Sequence, residues 1–478
     1  MKVLIGILFF SFLFFQCGEK SPNSETDIPR SVKQYCGSCH LVPEPQSLTK
    51  EVWANSIIPK MSQFYIWNPK SKHSYANTSF YSKQGNIPMD DENWDIIVDY
   101  YLTFGLDNKQ VDSLDNWPIQ TFFDEVIVDF EDEYPSEVTA ALIQNDKILI
   151  GSGRALHRLN DDHSLDMLIP LNRDITHIYP HKEQIYLVST STINPHHGPF
   201  GEVAILNQSM DSAQLLYDKL ERPVQLYING SDILTSEFGF KSGQLSIRNS
   251  ESLNESKSIH NLPGSYRIMP AQLIKNEDKT LVTSLSQAQE GIFALIKKDT
   301  GYDVKELIRF KPEYGLSDID VADINGDGLD DLLIVNGDNA DYSIIPKAYH
   351  GMKIYLNRGN YRFEKVYNFN IHGATQGKLI DVDKDGKIDV VLSCYFAELS
   401  HHKIVLLKNI SEEKISFSPY VFRNSKKGNW MIMEKGDINH DGEDDLLLGS
   451  YNLGPKQMQD SISFMTADVL LLINQSDK

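Results

Sequence analysis

An acidic nine-residue pattern, D-x-[DN]-x-D-G-x-x-D, occurs three times in this 478-residue chain, at 323–331, 381–389 and 437–445. Oxygens at positions 1, 3, 5 and 9, with the backbone carbonyl at position 7, can surround one hard cation, and the glycine at position 6 allows a sharp turn. Each copy runs into an apolar, strand-forming stretch rather than an EF-hand helix. We therefore expect three loops between paired strands, each binding Ca²⁺, with an ion-free acidic turn as the alternative.

The predicted calcium ligands occupy the same five positions in each copy. They are Asp323, Asn325, Asp327, Leu329 and Asp331 in loop one; Asp381, Asp383, Asp385, Lys387 and Asp389 in loop two; and Asp437, Asn439, Asp441, Glu443 and Asp445 in loop three. The copies recur at intervals of 58 and 56 residues. A period of this size with strands is typical of propeller blades.

Strand–turn–strand patterns without an acidic loop occur upstream, at 139–152, 176–190, 224–237 and 271–285. Together with the three acidic copies they predict a mainly β fold, a seven-bladed β-propeller over residues 130–478. The acidic loops and their blades resemble FG-GAP/VCBS repeats, the family that builds integrin-type propellers. The resemblance is clear over 315–478 and rests on pattern alone over 130–310; it implies that the calcium is structural.

Before the propeller, Cys36-Gly37-Ser38-Cys39-His40 carries C-x-x-C-H, the attachment signature of c-type haem. Two thiols at this spacing reach the two vinyl groups of one haem, and the adjacent imidazole of His40 reaches the iron. A zinc site would need a second cysteine pair, which the sequence lacks. We therefore expect a small all-α, cytochrome c-like domain at 31–112, joined to the propeller by a linker at 113–129.

The sixth haem ligand has several candidates. Met61 is favoured because the segment from Trp53 to Met61 resembles a tryptophan-to-methionine pattern of small cytochromes. Met89 precedes the last predicted helix, a common place for an axial methionine. His73 or an open position completes the alternatives, and a methionine ligand would raise the reduction potential relative to a second histidine.

The chain begins with Lys2 and an apolar run from Val3 to Phe15, too short for a membrane span and typical of an export signal. The run ends at Cys17, so residues 1–17 resemble a bacterial lipoprotein signal in which Cys17 is lipidated, although Gln16 departs from the usual small residue. An uncleaved anchor is the alternative. Residues 18–30 are expected to form a tether. The lipid would hold the protein at a membrane, on the periplasmic side or at the cell surface.

Several polar residues are predicted to gather on the propeller face opposite the acidic loops, because they follow second strands or precede first strands. They form a candidate pocket for a transition metal or for acid–base chemistry. The candidates are His196, His197, His350, His372, His401, His402, Arg154 and Tyr395. Ordinary polar loop residues are the alternative.

The function expected from these features is electron transfer by a membrane-anchored c-type cytochrome. Its propeller would bind a redox partner protein or a small molecule, carbohydrate included. Three alternatives stay open: a haem-coupled oxidoreductase, a lyase or hydrolase acting on carbohydrate, and an adhesion module. A net charge of −21 argues against nucleic acid as a partner, since phosphate binding needs clustered lysine and arginine.

Overall fold

The computed structural model describes residues 28–38, 40–66, 87–107, 117–130, 136–144, 147–196, 198–240, 242–287, 289–299, 301–338, 347, 349–397, 402–452 and 467–475. Several predicted residues lie outside these ranges: Cys17, Cys39, His73, His197 and His401. The predicted signal at 1–17 also lies outside them. None of the described helices is both long and apolar enough to cross a membrane.

Seven four-stranded antiparallel sheets dominate the described chain. In six of them the strands are consecutive in sequence, and the first strands of neighbouring sheets contact one another, so that they lie innermost around a common axis. The sequence-based prediction of a mainly β, seven-bladed propeller is therefore confirmed.

In blades one to four the strands follow one another along the chain from the axis outward. Blade one comprises Val138–Gln144, Lys147–Ser152, Ala155–Leu159 and Leu165–Pro170; blade two Asp174–His181, Gln184–Thr190, Gly201–Leu206 and Ala213–Leu220; blade three Pro223–Asn229, Asp232–Glu237, Gln244–Asn249 and Ser252–His260; and blade four Ser265–Ala271, Thr280–Leu285, Gly291–Lys298 and Gly301–Arg309.

Blades five to seven carry the acidic loops between their first and second strands. Blade five comprises Leu316–Ala322, Asp331–Asn336, Gly351–Asn357 and Phe363–Asn370; blade six Gln376–Ile380, Asp389–Ser393, Ile404–Asn409 and Phe417–Val421; and blade seven Trp430–Gly436, Asp445–Ser450, Val469–Asn474 and Phe123–Val128.

The burial of each strand follows its place in the blade. The second strand of blade five, Asp331–Asn336, is buried at every residue, whereas the outer strand Gly301–Arg309 has no fully buried residue. Neighbouring blades approach closely where a strand carries glycine: a Cβ on Gly377 would lie 2.8 Å from Val335 Cγ2. The apolar second strands thus form cores between blades, in agreement with the apolar runs in the sequence.

Blade seven takes its outer strand from the N-terminal side of the propeller. Phe123–Val128 pairs antiparallel with Val469–Asn474, from Phe123 opposite Asn474 to Val128 opposite Val469. This strand lies within the segment that the sequence pattern had indicated as a linker, 113–129. Joining the two ends of the repeat in one sheet closes the ring.

A second departure concerns blade four. The sequence pattern placed its first strand at the start of 271–285, but the strand is Ser265–Ala271 and ends where that pattern begins. The segment from 272 to 279 therefore connects the first two strands.

The N-terminal described segment is helical and compactly packed. Its longest helix, Asp91–Phe104, begins after Asp90, whose side chain accepts the Asn93 N–H, and ends at Gly105. The shorter helical elements are Arg30–Tyr35, Cys36–Ser38, Pro45–Ser47, Lys50–Val52, Trp53–Ile57, Ile58–Met61 and Ser62–Phe64, and Tyr65–Ile66 pairs in parallel with Ile87–Pro88. Nine buried residues, with Trp53 stacked on Tyr101 at 4.2 Å between ring centroids, form its core.

Candidate functional site

A cavity of about 300 Å³ lies between the helical segment and blade five; we call it the blade-five cavity. Its walls are mainly apolar and aromatic on the helical side. The lining residues are Tyr35, Cys36, His40, Pro43, Leu48, Trp53, Ile57, Ile58, Met61, Phe64, Trp94, Ile97, Tyr101, Pro312, Glu313, Lys347 and Tyr349. Three of the predicted haem ligands, Cys36, His40 and Met61, therefore meet in one cavity.

His40 lies shortly after the described helical turn Cys36–Ser38. Its Nδ1 is 2.8 Å from the carbonyl oxygen of Leu41. A carbonyl can only accept, so Nδ1 carries the proton and Nε2 carries the lone pair. Burial and the charge of Arg309 lower the pKa of His40, although the Leu41 hydrogen bond opposes them. The lowered pKa favours a neutral imidazole whose Nε2 lone pair is not taken up by this hydrogen bond.

Cys36 and Met61 line the same cavity. Burial raises the pKa of the Cys36 thiol to about 11, against the opposing effect of its hydrogen bond with Tyr101. Met61, at the end of the helical turn Ile58–Met61, and Met89 both pack against the hydrophobic core of the helical segment, and of the two only Met61 lines the cavity. The cavity is therefore lined by a cysteine, a histidine and a methionine, with aromatic rings around them.

Blade five supplies the opposite wall of the blade-five cavity. Glu313 and Tyr349 come from the connections that precede its first strand and follow its second strand. The Glu44 N–H donates to Glu313 Oε1 at 3.0 Å, and Glu44 also pairs with Lys311. Tyr349 stacks on Tyr314 with ring centroids 5.0 Å apart. No local sequence signal marks these residues, because the contact joins positions 269 apart.

Glu313 is one of two buried ionisable residues in this wall, with Lys347, among the described residues. Its side chain is buried, and Oε2 has no hydrogen-bond partner in the described structure. Burial raises the pKa of Glu313 to about 7, and the backbone hydrogen bond from Glu44 only partly offsets this. A carboxyl that is readily protonated near neutral pH therefore faces the cavity from the propeller side.

The predicted histidine pocket is only partly assembled among the described residues. His350 is fully buried, and its ring lies nearly parallel to that of His372 with centroids 6.2 Å apart. His196 instead contacts Thr190 Oγ1 at 3.3 Å, and His402 lies beside Trp117. Within the described ranges, three acidic residues of loop two are the one group of three or more potential metal-binding side chains. The transition-metal prediction at this rim stays a prediction.

A second concave site, the axial pocket, has a volume of about 270 Å³ and collects residues from blades three to seven. It lies at the end of the first strands opposite the acidic loops, as shown by Leu316 at the start of its strand. The lining residues are Arg222, Val224, Phe238, Tyr266, Ser286, Leu316, Ser317, Asp338, Thr375, Gln376, Tyr395, Phe396 and Met431. Tyr395 is the predicted rim residue among them; the aromatic and hydroxyl groups of the other blades were missed because no motif marks them.

Arg222 and Tyr266 illustrate how the axial pocket is built. The Arg222 guanidinium donates to the carbonyl oxygens of Gly239 at 2.6 Å and Ile193 at 2.8 Å, so it is held in place by backbone. Tyr266 meets Phe238 edge-on, with centroids 6.2 Å apart. Ser286 Oγ is buried and lacks a hydrogen-bond partner among the described residues. Rigid aromatic faces beside hydroxyl groups suit a small polar ligand.

The three acidic loops share one backbone arrangement. The position-6 glycines Gly328, Gly386 and Gly442 have φ of 86°, 78° and 90°, and each donates its N–H to the position-1 aspartate at 2.7–2.9 Å. The position-9 aspartates accept two backbone N–H groups each, one from position 2 and one from the third strand. The motif therefore determines the predicted turn, with glycine in the left-handed region.

Comparison with known proteins gives a family match over part of the chain. Residues 323–392, which span loops one and two, match the FG-GAP-like repeat. No curated protein matches the chain. The fold and this match define a seven-bladed β-propeller that contains an FG-GAP-like repeat.

Two solved structures resemble the chain at low sequence identity. The extracellular domain of a hybrid two-component system from B. thetaiotaomicron has 12% identity and a TM-score of 0.45, over 74% of this chain and 40% of that one. The N-terminal domain of Nup159 has 11% identity and a TM-score of 0.42, over 76% of this chain and 99% of that one. The chain thus covers less than half of the first of these proteins.

Proposed function

We propose that this chain is an exported, lipid-anchored c-type cytochrome that transfers electrons, with a propeller that binds its partner or substrate. The observation that carries the proposal is the meeting of Cys36, His40 and Met61 in one apolar cavity. Cys36, together with Cys39, would hold the haem covalently, while His40 Nε2 and Met61 would bind its iron. When bound, the haem supplies one-electron redox chemistry.

The chemistry of the cavity fits this group. Thiol, neutral imidazole and thioether are the donors that c-type haem uses, and Trp53, Trp94 and Tyr101 offer flat apolar surfaces to a macrocycle. Pro312 and the buried Glu313, which precede the first strand of blade five, would cover the haem from the other side. The solvent access that such a wall leaves would tune the reduction potential.

We also propose calcium in loops one and three, where it would brace the first hairpin of its blade. Carboxylate, amide and carbonyl oxygens at the motif positions are the ligands that Ca²⁺ prefers. Both loops carry two aspartates and one asparagine at positions 1, 3 and 5. Removal of calcium should lower the melting temperature, because an ion that binds only the native state stabilises it.

The cytochrome proposal is tested by expression in a host that attaches c-type haem. The wild type should show covalent haem in a denaturing gel and a c-type band in the reduced-minus-oxidised spectrum. The double variant Cys36→Ser/Cys39→Ser should lose both, and Cys394→Ser, a buried cysteine of the propeller, should keep them. A wild type without covalent haem, in a host that matures another cytochrome c, would refute the proposal.

The axial pocket favours a second candidate, a haem-coupled oxidoreductase that holds its substrate there. Glu313 of the blade-five cavity and Leu316 of the axial pocket are three residues apart, so their Cα atoms lie within about 11 Å. The test is anaerobic incubation of the oxidised haem protein with a panel of neutral sugars. Reduction by one sugar that is lost in Tyr266→Ala, but kept in Tyr420→Ala on an outer strand, would favour this candidate; no reduction by any sugar would favour electron transfer alone.

A further inference from the structure

The ammonium group of Lys408 lies inside loop two. Its Nζ is 2.7 Å from Asp383 Oδ1, 3.3 Å from Asp385 Oδ2 and 3.2 Å from Asp389 Oδ1. These three carboxylates stand at positions 3, 5 and 9 of the acidic motif, the positions that would otherwise bind a metal ion. Lys408 itself is buried at 7% exposure, so its charge is neutralised by the loop rather than by water.

The residues that correspond to Lys408 in blades five and seven are apolar. In each blade the register pairs the residue after the position-9 aspartate with the third strand: Leu332 with Tyr355, Val390 with Leu407, and Leu446 with Leu472. The next third-strand residue in each blade is Leu356, Lys408 or Ile473. The asparagine that follows each of these donates its N–H to the position-9 aspartate at 2.8, 2.6 and 2.7 Å, which confirms the equivalence.

Loop two also differs at position 3. Loops one and three have asparagine there, and its side-chain amide donates to the position-5 aspartate: Asn325 to Asp327 at 3.0 Å, and Asn439 to Asp441 at 2.8 Å. Loop two has Asp383 instead, which adds a fourth carboxylate to the set at positions 1, 3, 5 and 9. The extra negative charge and the extra ammonium thus occur in the same blade and touch each other.

We infer that Lys408 is the permanent counter-cation of loop two, so that this propeller binds two calcium ions, in loops one and three, rather than three. Calcium takes six to eight oxygens at 2.3–2.6 Å, and three of the four loop-two carboxylates already contact an ammonium that cannot leave its strand. The inference rests on the proposed calcium sites in the other two loops.

Two further observations bear on loop two. Asp381 Oδ1 is buried without a hydrogen-bond partner among the described residues, which favours a metal ion. The ammonium outweighs it because a divalent ion at that oxygen would stand beside a fixed positive charge. The same ammonium also lies 3.3 Å from Asp389 Oδ2, so both oxygens of the position-9 carboxylate face Lys408.

The test is the number of calcium ions bound by the full chain. After chelation and gel filtration, calcium is titrated by calorimetry and counted by metal analysis. The wild type should bind two ions and Lys408→Met three, with a larger rise in melting temperature on adding calcium. Three ions in the wild type, or the same count in both proteins, would overturn the inference.

A reciprocal variant keeps the inference testable if Lys408→Met fails to fold. The double change Leu356→Lys/Asn325→Asp transfers the loop-two arrangement to loop one and should reduce the count by one; an unchanged count contradicts the inference. Failure of the calcium proposal for loops one and three gives a different result. In that case the wild type would bind no calcium, and a Lys408→Met variant that binds one ion would still support the role of Lys408 in loop two.

Discussion

Truncation of Phe123 should weaken the closure of the propeller ring. Phe123 begins the strand that completes blade seven, is 4% exposed, and packs against Phe422 with ring centroids 6.1 Å apart. The side chain of Gln120 holds its backbone on both sides, because Oε1 accepts the Phe123 N–H at 2.8 Å and Nε2 donates to the Phe123 carbonyl at 3.1 Å. Phe123→Ala keeps this backbone frame and removes only the buried ring.

Replacing a buried phenylalanine with alanine costs about 3–5 kcal/mol of the free energy of unfolding. That is a large part of the roughly 5–15 kcal/mol that holds a typical protein folded. Urea unfolding followed by circular dichroism should show the midpoint shift with little change in slope. The exposed neighbour Asp124, on the same strand, provides the control: Asp124→Ala should cost less than about 1 kcal/mol.

A loss below about 1 kcal/mol for Phe123→Ala would refute this reasoning. It would mean that the buried ring of Phe123 contributes little and that its strand stays paired with Val469–Asn474 without it. An equal loss in both variants would point instead to damage of the strand as a whole.

Three other perturbations have expected outcomes. If Met61 binds the haem iron, Met61→Ala should shift the midpoint potential and open the iron to added imidazole, whereas Met89→Ala should leave both unchanged; the reverse pattern would reassign the ligand. Gly377→Ala places a methyl group 2.8 Å from a valine of blade five and should cost about 1–3 kcal/mol in thermal or urea unfolding, and a neutral effect would show that the blade interface can relax. Burial and nearby cations lower the pKa of His177 from 6.5 to about 3 in the folded chain. The part of the free energy of unfolding that depends on a neutral His177 is therefore fully present above pH 6.5. It is lost as pH falls towards 3, at up to about 1.4 kcal/mol per pH unit. His177→Gln should therefore flatten acid unfolding, and His181→Gln, at the end of the same strand where burial lowers the pKa less strongly, should flatten it less; equal pH profiles for the two variants would contradict this.

Local sequence patterns were sufficient to predict the strand–turn–strand units of the blades. The acidic motif, its glycine and the apolar run after it specify a turn between two strands, and all of these lie within about fifteen residues. The hydrogen bonds from Gly328, Gly386 and Gly442 to the position-1 aspartates form within that same stretch. Such turns can be predicted from the sequence because the residues that interact are close together in the chain.

Only part of the candidate site could be predicted from the sequence. Cys36 and His40 are four residues apart in one motif, so the motif already predicted that they would lie in the same cavity. The histidines of the rim were grouped by their place in each blade, yet His196 and His402 have different neighbours. A position at the end of a strand predicts the face of the propeller, but the direction of a side chain in a long loop depends on packing that the pattern does not contain.

The sequence by itself therefore determined the number and order of the blades and the chemistry of their loops, because strand pairing within a blade joins near neighbours in the chain. Only the tertiary structure decided that Phe123–Val128 closes the ring and that Lys408 enters loop two. It also decided that Glu313 and Tyr349 line the cavity that contains Cys36 and His40. Each of these contacts joins residues of separate strands or blades. They depend on how the ring closes and how side chains then fill the space between blades, which no single segment of the chain specifies.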